Sequence, residues 1–252
     1  LLNIQFAMRD GVVYVIEANP RASRTVPYVS KATGVPWVKV ACEVLAGKTL
    51  AELGVPDEPR LRGHFVKEVV LPFAKFPDEP AILGPEMHST GEVMGMDDSF
   101  GMAFAKAQMA AGNDLPLRGS VFVSVNDRDK ANLAPIAREL SELGFHLLGT
   151  RGTAAYLRER GLQVQTVLKA WEGRPNVVDH IINGDVDLMI NTPLGGRSFD
   201  DERRLRQAAI SHGVPVLTTL SGARAAAQAI AARLAGRLSV KSLQEHWSTP
   251  EV

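Results

Sequence analysis

Glu17 and Asn19 stand two residues apart at the end of an apolar segment, V-V-Y-V-I-E-A-N, that stops at Pro20. On a strand, that spacing puts both side chains on one face. A bare carboxylate in an apolar strand is costly. A hard divalent cation, Mg²⁺ or Mn²⁺, would offset the cost, with oxygen ligands from Glu17, Asn19 and Gln5 of the preceding strand. Arg21 and Arg24 follow within a turn or two, where guanidinium groups can meet phosphate oxygens. The plain alternative is a strand-end glutamate in a surface salt bridge, with Asn19 shaping the turn before Pro20. Residues 3–8 and 12–16 read as strands around Asp10-Gly11, a hairpin signal. A two-residue turn there would put Gln5 and Glu17 on opposite faces. A three-residue loop with Gly11 left-handed would put them on the same face. The metal reading therefore predicts the longer loop.

A second group lies past the middle of the chain. Thr150-Arg151-Gly152-Thr153 follows the apolar run F-H-L-L-G and opens a helix. Threonine hydroxyls and free N–H groups at a helix amino end suit a phosphate, and Gly152 permits close backbone approach. Lys169, at the next strand's end, can supply a point charge and Lys130 another. Asn191 and Thr192 end the following strand and can donate to phosphate or ribose oxygens. The plain alternative here is that a threonine caps the helix and each lysine is a solvated surface charge.

These residues need elements to hold them. From residue 120 onward, apolar runs alternate with amphipathic stretches: 120–125 then 131–143, 145–148 then 153–159, 164–168 then 176–182, 186–190 then 201–212, 214–218 then 223–234. Five strands alternating with helices predict βαβ units and a five-stranded, Rossmann-like parallel sheet, an α/β fold. Runs such as V-D-L-M-I fit strands covered on both faces. Ligands in such sheets sit at the carboxyl ends of the strands. That rule alone selects Asn126, Thr150, Lys169, Asn191 and Thr218-Thr219. The region before residue 120 reads as α+β: a helix over 38–46, strands over 66–71 and 90–94, a helix over 99–111, and a linker at 112–116.

The chain has 252 residues, 45% apolar and 22% charged, enough to bury a full core. Its 28 basic residues balance 28 acidic ones, which argues against nucleic acid or a membrane surface as partner. One cysteine, Cys42, excludes an intrachain disulfide and fits a reducing cytoplasm; its setting, V-A-C-E-V-L, reads as a small core position. The six histidines show no metal-ligand spacing. Leu1 opens directly on a strand without an initiator methionine, the pattern of a piece of a longer polypeptide.

The run I-E-A-N-P-R-A-S-R-T-V-P-Y-V-S-K-A-T-G at 16–34 is similar to the end of the second ATP-grasp domain of carbamoyl phosphate synthetase large subunits. N-I-Q-F-A at 3–7, K-E-V-V-L-P-F at 67–73 and L-G-P-E-M-H-S-T-G-E-V-M-G at 83–95 match as well. The resemblance implies that Gln5, Glu17 and Asn19 hold the divalent metal on ATP and that Arg24 contacts phosphate. It also implies that the ATP-binding lysines and Gly-rich loop precede residue 1, so that this stretch alone cannot phosphorylate carbamate. Two further partners are implied: the rest of the large subunit and a glutamine amidotransferase small subunit. Residues 1–114 would complete the synthetic domain.

Residues 118–252 resemble the methylglyoxal-synthase-like allosteric domain of the same family, through T-R-G-T at 150–153, K-A-W-E-G-R-P at 169–175 and I-N-T at 190–192. The resemblance implies UMP and IMP as effectors at Lys130, Thr150, Thr153, Lys169, Asn191 and Thr192, and ornithine at Glu68, Leu71 and Thr218. On the residues themselves, Glu68 reads as the solvent-facing member of a half-buried strand. Two departures bear on the effectors. Pro193 replaces a threonine and offers neither hydroxyl nor N–H, and Val216 stands where the ornithine site has a tyrosine. Two other activities stay open at this point: a stand-alone effector-binding module, and a methylglyoxal synthase, which would need a catalytic aspartate in the phosphate pocket.

Overall fold

The segment 3–19 folds as the hairpin that Asp10-Gly11 predicts. Strands β1 (Asn3–Arg9) and β2 (Val12–Asn19) pair antiparallel. This computed structural model describes residues 1–59, 61–75, 86–192 and 199–248. The chain divides into two units: Leu1–Gly63 with Ser239–Val252, and His64–Leu238.

In the first unit Arg9 pairs with Val12, so the hairpin loop has two residues, not three. Asp10 (φ 51°) and Gly11 (φ 79°) are both left-handed, as the favoured two-residue hairpin turn requires. An unbroken register would then set Ile16 opposite Gln5. Instead the register shifts: Phe6 faces Val15 and Gln5 faces Glu17, which leaves Ile16 as the extra residue of a β-bulge. The juxtaposition of Gln5 and Glu17 thus comes from a bulge inside β2 and not from a longer loop.

Helix α1 (Thr25–Thr33) ends at Gly34, whose φ of 71° makes it a left-handed cap. Helix α2 (Trp37–Leu45) follows. Cys42 is exposed on it rather than buried, since α2 holds no buried residue in this unit. The carboxyl-terminal helix Leu243–Ser248 starts with a capping box: Glu245 N–H donates to Ser242 Oγ, and the Glu245 carboxylate accepts from Ser242 N–H. Trp247 Nε1 donates to Lys31 O at 3.2 Å, one of the carbonyls that the end of α1 leaves without a helical partner. Its indole lies only 3.0 Å from where a Cβ on Gly34 would sit.

The second unit opens with β3 (His64–Val70) and β4 (Gly91–Asp97), antiparallel, and α3 (Phe100–Ala110). The parallel sheet follows as predicted: β5 (Ser120–Ser124), α4 (Lys130–Glu142), β6 (His146–Gly149), α5 (Arg151–Arg158), β7 (Val164–Thr166), α6 (Val177–Ile182), β8 (Leu188–Asn191), α7 (Phe199–Ser211), β9 (Val216–Leu217) and α8 (Leu220–Ala235). The strand order is β7-β6-β5-β8-β9, all parallel.

Two apolar layers explain the continuous hydrophobic runs. Val121, Val123, Leu147, Leu188 and Ile190 pack with α4, α5 and α8 on one face. Phe122, Leu148 and Met189 pack with α6 and α7 on the other. Alternate side chains of one strand therefore serve opposite cores. The chain runs outward from β5 to β7, then returns to place β8 on β5's other side. The strand order reverses between β5 and β8, the switch point at whose carboxyl ends such sheets bind ligands.

Candidate functional site

Three side chains of the hairpin come together. Gln5 and Glu17 are a directly opposed cross-strand pair, and Asn19, two residues on, shares Glu17's face. Asn19 Nδ2 donates to Glu17 Oε1 at 2.9 Å. That bond spends the amide's N–H on the carboxylate and leaves its oxygen as the acceptor. One carboxylate and two carboxamides form an all-oxygen donor set that fits a hard divalent cation. A single negative charge satisfies little of such an ion's demand, so the set fits a metal that also carries phosphate oxygens. Arg24 occupies the N-cap position of α1, shortly after this face, and makes no side-chain capping bond.

The second group lies along the carboxyl edge of the five-stranded sheet. Thr150 occupies the N-cap position of α5 but makes no side-chain capping bond; its hydroxyl meets Thr153 Oγ1 at 3.3 Å. Both threonines are buried. Asn126, Asn176 and Thr219, by contrast, do accept backbone N–H bonds at the starts of their elements. Lys130 lies against the first turn of α5, with Nζ 3.3 Å from where a Cβ on Gly152 would stand. Glycine is what lets that ammonium close on the helix start. Lys169 lies 4.8 Å over the ring of Trp171, and its backbone N–H donates to Glu172 Oε2.

At the β5–β8 switch point, Thr192 Oγ1 accepts from Asn126 N–H at 3.3 Å. Asn191 is 1% exposed. Its Nδ2 donates to Ser124 O (3.3 Å), and its Oδ1 accepts from Arg206 Nε on α7 (3.2 Å). Arg206 thereby fixes which way the amide points. Sequence reasoning missed it, because the pair is separated by fifteen positions and a helix turn. Asp127, the aspartate near a strand end that a methylglyoxal-synthase reading would need, is paired with Lys130 at 2.7 Å.

Glu68 does not face solvent. It is half-buried and accepts from Gln108 Nε2 on α3 at 2.7 Å. Burial raises its pKa above the ordinary glutamate value, against the opposing pull of hydrogen bonds from Val69 and Gln108. Leu71 follows β3, and Thr218 is exposed just past β9. Val216 is half-buried on β9. Pro193 lies outside the described residues, as do positions 83–85 of the fourth matching segment. Among the described residues no three His, Cys, Asp or Glu side chains cluster as a metal site, and no helix is long and apolar enough to cross a membrane.

Residues 2–53, which contain the hairpin and Arg24, match the family described as carbamoyl-phosphate synthase L chain, ATP binding domain. Residues 132–218, which carry most of the sheet edge, match the MGS-like domain. Carbamoyl phosphate synthase large chains from Archaeoglobus fulgidus (52% identical over 247 residues) and Synechocystis sp. (52% over 247) align with 98% of this chain. The one from Gemmatimonas aurantiaca is 53% identical over 245 residues and covers 97%. Over nearly its whole length the chain is similar to carbamoyl phosphate synthase large chains. It spans less than a quarter of their length, 22–23%. The two constellations fall in two different matched segments, the hairpin in the ATP-binding one and the threonine pair, Lys169, Asn191 and Thr192 in the MGS-like one. Lys130 stands two residues before the MGS-like match begins.

Proposed function

We propose that this chain is the part of a carbamoyl phosphate synthase large chain that completes the second ATP site and carries the effector-sensing domain. The two parts would be residues 1–114 and 118–252. The supporting observation is the match of 97–98% of the chain to large chains at 52–53% identity. The complete enzyme would be a cytoplasmic ligase. It would form carbamoyl phosphate from bicarbonate, glutamine-derived ammonia and ATP, with an amidotransferase small subunit, for arginine and pyrimidine synthesis.

In that reading Gln5, Glu17 and Asn19 hold Mg²⁺ or Mn²⁺ on the triphosphate, where the ion supplies neutralisation of developing charge. Glu17 contributes the negative charge, and the Asn19–Glu17 hydrogen bond orients the carboxylate. Arg24 binds a phosphate oxygen. At the sheet edge, Lys130 and Lys169 attract the phosphate of a nucleotide such as UMP or IMP. Thr150 and Thr153 donate hydroxyls, the start of α5 donates backbone N–H groups, and Asn191 and Thr192 meet phosphate or ribose. Ornithine would be held by Glu68, Leu71 and Thr218, with Val216 unable to add a hydroxyl contact.

The test uses the full-length large chain with its small subunit. Wild type should form carbamoyl phosphate from ATP, bicarbonate and glutamine. Glu17→Gln should lower that rate roughly 10²-fold or more, because it removes the one charged metal ligand of the set. A wild-type assembly that consumes no ATP in making carbamoyl phosphate would contradict the proposal.

A further inference from the structure

Asp127 heads the short turn Asp127–Asp129 that follows β5, and one carboxylate oxygen lies 2.7 Å from Lys130 Nζ. The partners of this pair differ in their surroundings: the Lys130 side chain is 16% exposed and that of Asp127 is 95% exposed. Lys130 is fixed against the start of α5 beside Gly152. The charge of Lys169 also acts on Asp127, and the Lys130 hydrogen bond, with these charges, holds its carboxyl below the usual carboxylate range. Lys130, one of the two cations assigned to a ligand phosphate, is therefore already paired with an anion that belongs to the protein, and the charge of the other reaches the same carboxylate.

We infer that Asp127 is an internal counter-anion of the effector pocket, one that occupies the lysines' field until a phosphate dianion displaces it. The inference rests on reading the sheet edge as a phosphate-monoester site. The displacement is structurally simple, since the Asp127 side chain already stands in solvent and can rotate away without opening any core. An exposed ion pair is worth little, so a doubly charged phosphate outcompetes it. A neutral or singly charged ligand gains less from the two lysines and still meets the carboxylate. Asp127 thus sets both the affinity of the site and its preference for phosphate over weaker anions.

The experiment is calorimetric titration of the chain with UMP and, separately, with inorganic phosphate, at low and at physiological salt. Asp127→Asn should bind both about two- to ten-fold more tightly than wild type at low salt. The gain should shrink as salt rises. Asp127→Glu, which keeps the anion, should stay within about two-fold of wild type. Unchanged or weaker binding of UMP by Asp127→Asn, with wild type binding normally, overturns the counter-anion and leaves the phosphate site standing. No heat from wild type with either ligand at millimolar concentration overturns the phosphate site, and the inference with it.

Discussion

Gly95 on β4 tests how the second unit is held together. A Cβ at that position would stand 2.0 Å from Ala103 O and 2.5 Å from Ala107 N, both backbone atoms of α3. Relief would need β4 and α3 to separate by about 1 Å or more, since carbon contacts are optimal near 3.5–4.0 Å. The helix is not free to give. On another face, a Cβ at Gly101 would stand 2.5 Å from Gln228 O of α8, so α3 sits at backbone distance from two neighbours. Gly95→Ala should therefore fall at or beyond the upper end of overpacking costs, about 3 kcal/mol. For a unit of this size that corresponds to a fall of roughly 6–12 °C in Tm. Urea unfolding followed by circular dichroism reads it as a lower midpoint with unchanged slope. A loss below about 1 kcal/mol would refute the backbone-to-backbone packing, and with it the rigid placement of Gln108 and Glu68.

Other consequences follow from single interactions. Glu68 has a raised folded pKa, so its neutral form is favoured by the fold; its contribution to stability is present below the unfolded glutamate pKa and is lost as pH rises through the folded one. Glu68→Gln should be more stable than wild type at neutral pH and should flatten that slope, as thermal unfolding across pH 4–8 would show; an unchanged slope would contradict the burial effect. The Arg174 hydrogen bond holds the Asp179 carboxyl down to about 2, with Asn176 N–H adding to it. That stabilisation is present above the unfolded aspartate pKa and is lost as pH falls toward 2. Arg174→Ala should raise the Asp179 pKa toward ordinary values in a carboxyl NMR titration. Gly34→Ala would force a left-handed residue to carry a Cβ 3.0 Å from the Trp247 ring. It should expose residues 243–248 to faster amide exchange, whereas unchanged exchange there would refute the Trp247 contact.

The parallel sheet was legible because each strand carries a continuous apolar run and each helix an amphipathic one. Residues such as Val121, Phe122 and Val123 can be read as doubly covered without any structure. The hairpin was legible through Asp10-Gly11, but the placement of Gln5 was not. A bulge at Ile16 has no local signal as strong as a turn dipeptide, and one extra residue reverses every facing assignment beyond it. The helix Leu243–Ser248 was announced by Ser242-Leu243-Gln244-Glu245, a capping-box pattern that was readable and was passed over. Glu68 misled because alternation on β3 gives its side but not its cover: α3, forty residues on, supplies Gln108. The pairing of Arg206 with Asn191 depends on side-chain reach between separate elements, which spacing does not encode, whereas Asp127 and Lys130, three positions apart, form a local pair that spacing does encode.

Binding of a phosphate monoester at the carboxyl edge of the β7-β6-β5-β8-β9 sheet is measured directly by calorimetric titration of the chain with UMP and IMP, with Thr153→Val and Lys130→Gln as controls. At least one nucleotide should give saturable heat. Each variant should bind about ten-fold or more weakly, the scale of a lost charge-assisted or buried hydrogen bond. Absence of heat from both nucleotides at millimolar concentration, or binding indifferent to both substitutions, would contradict it.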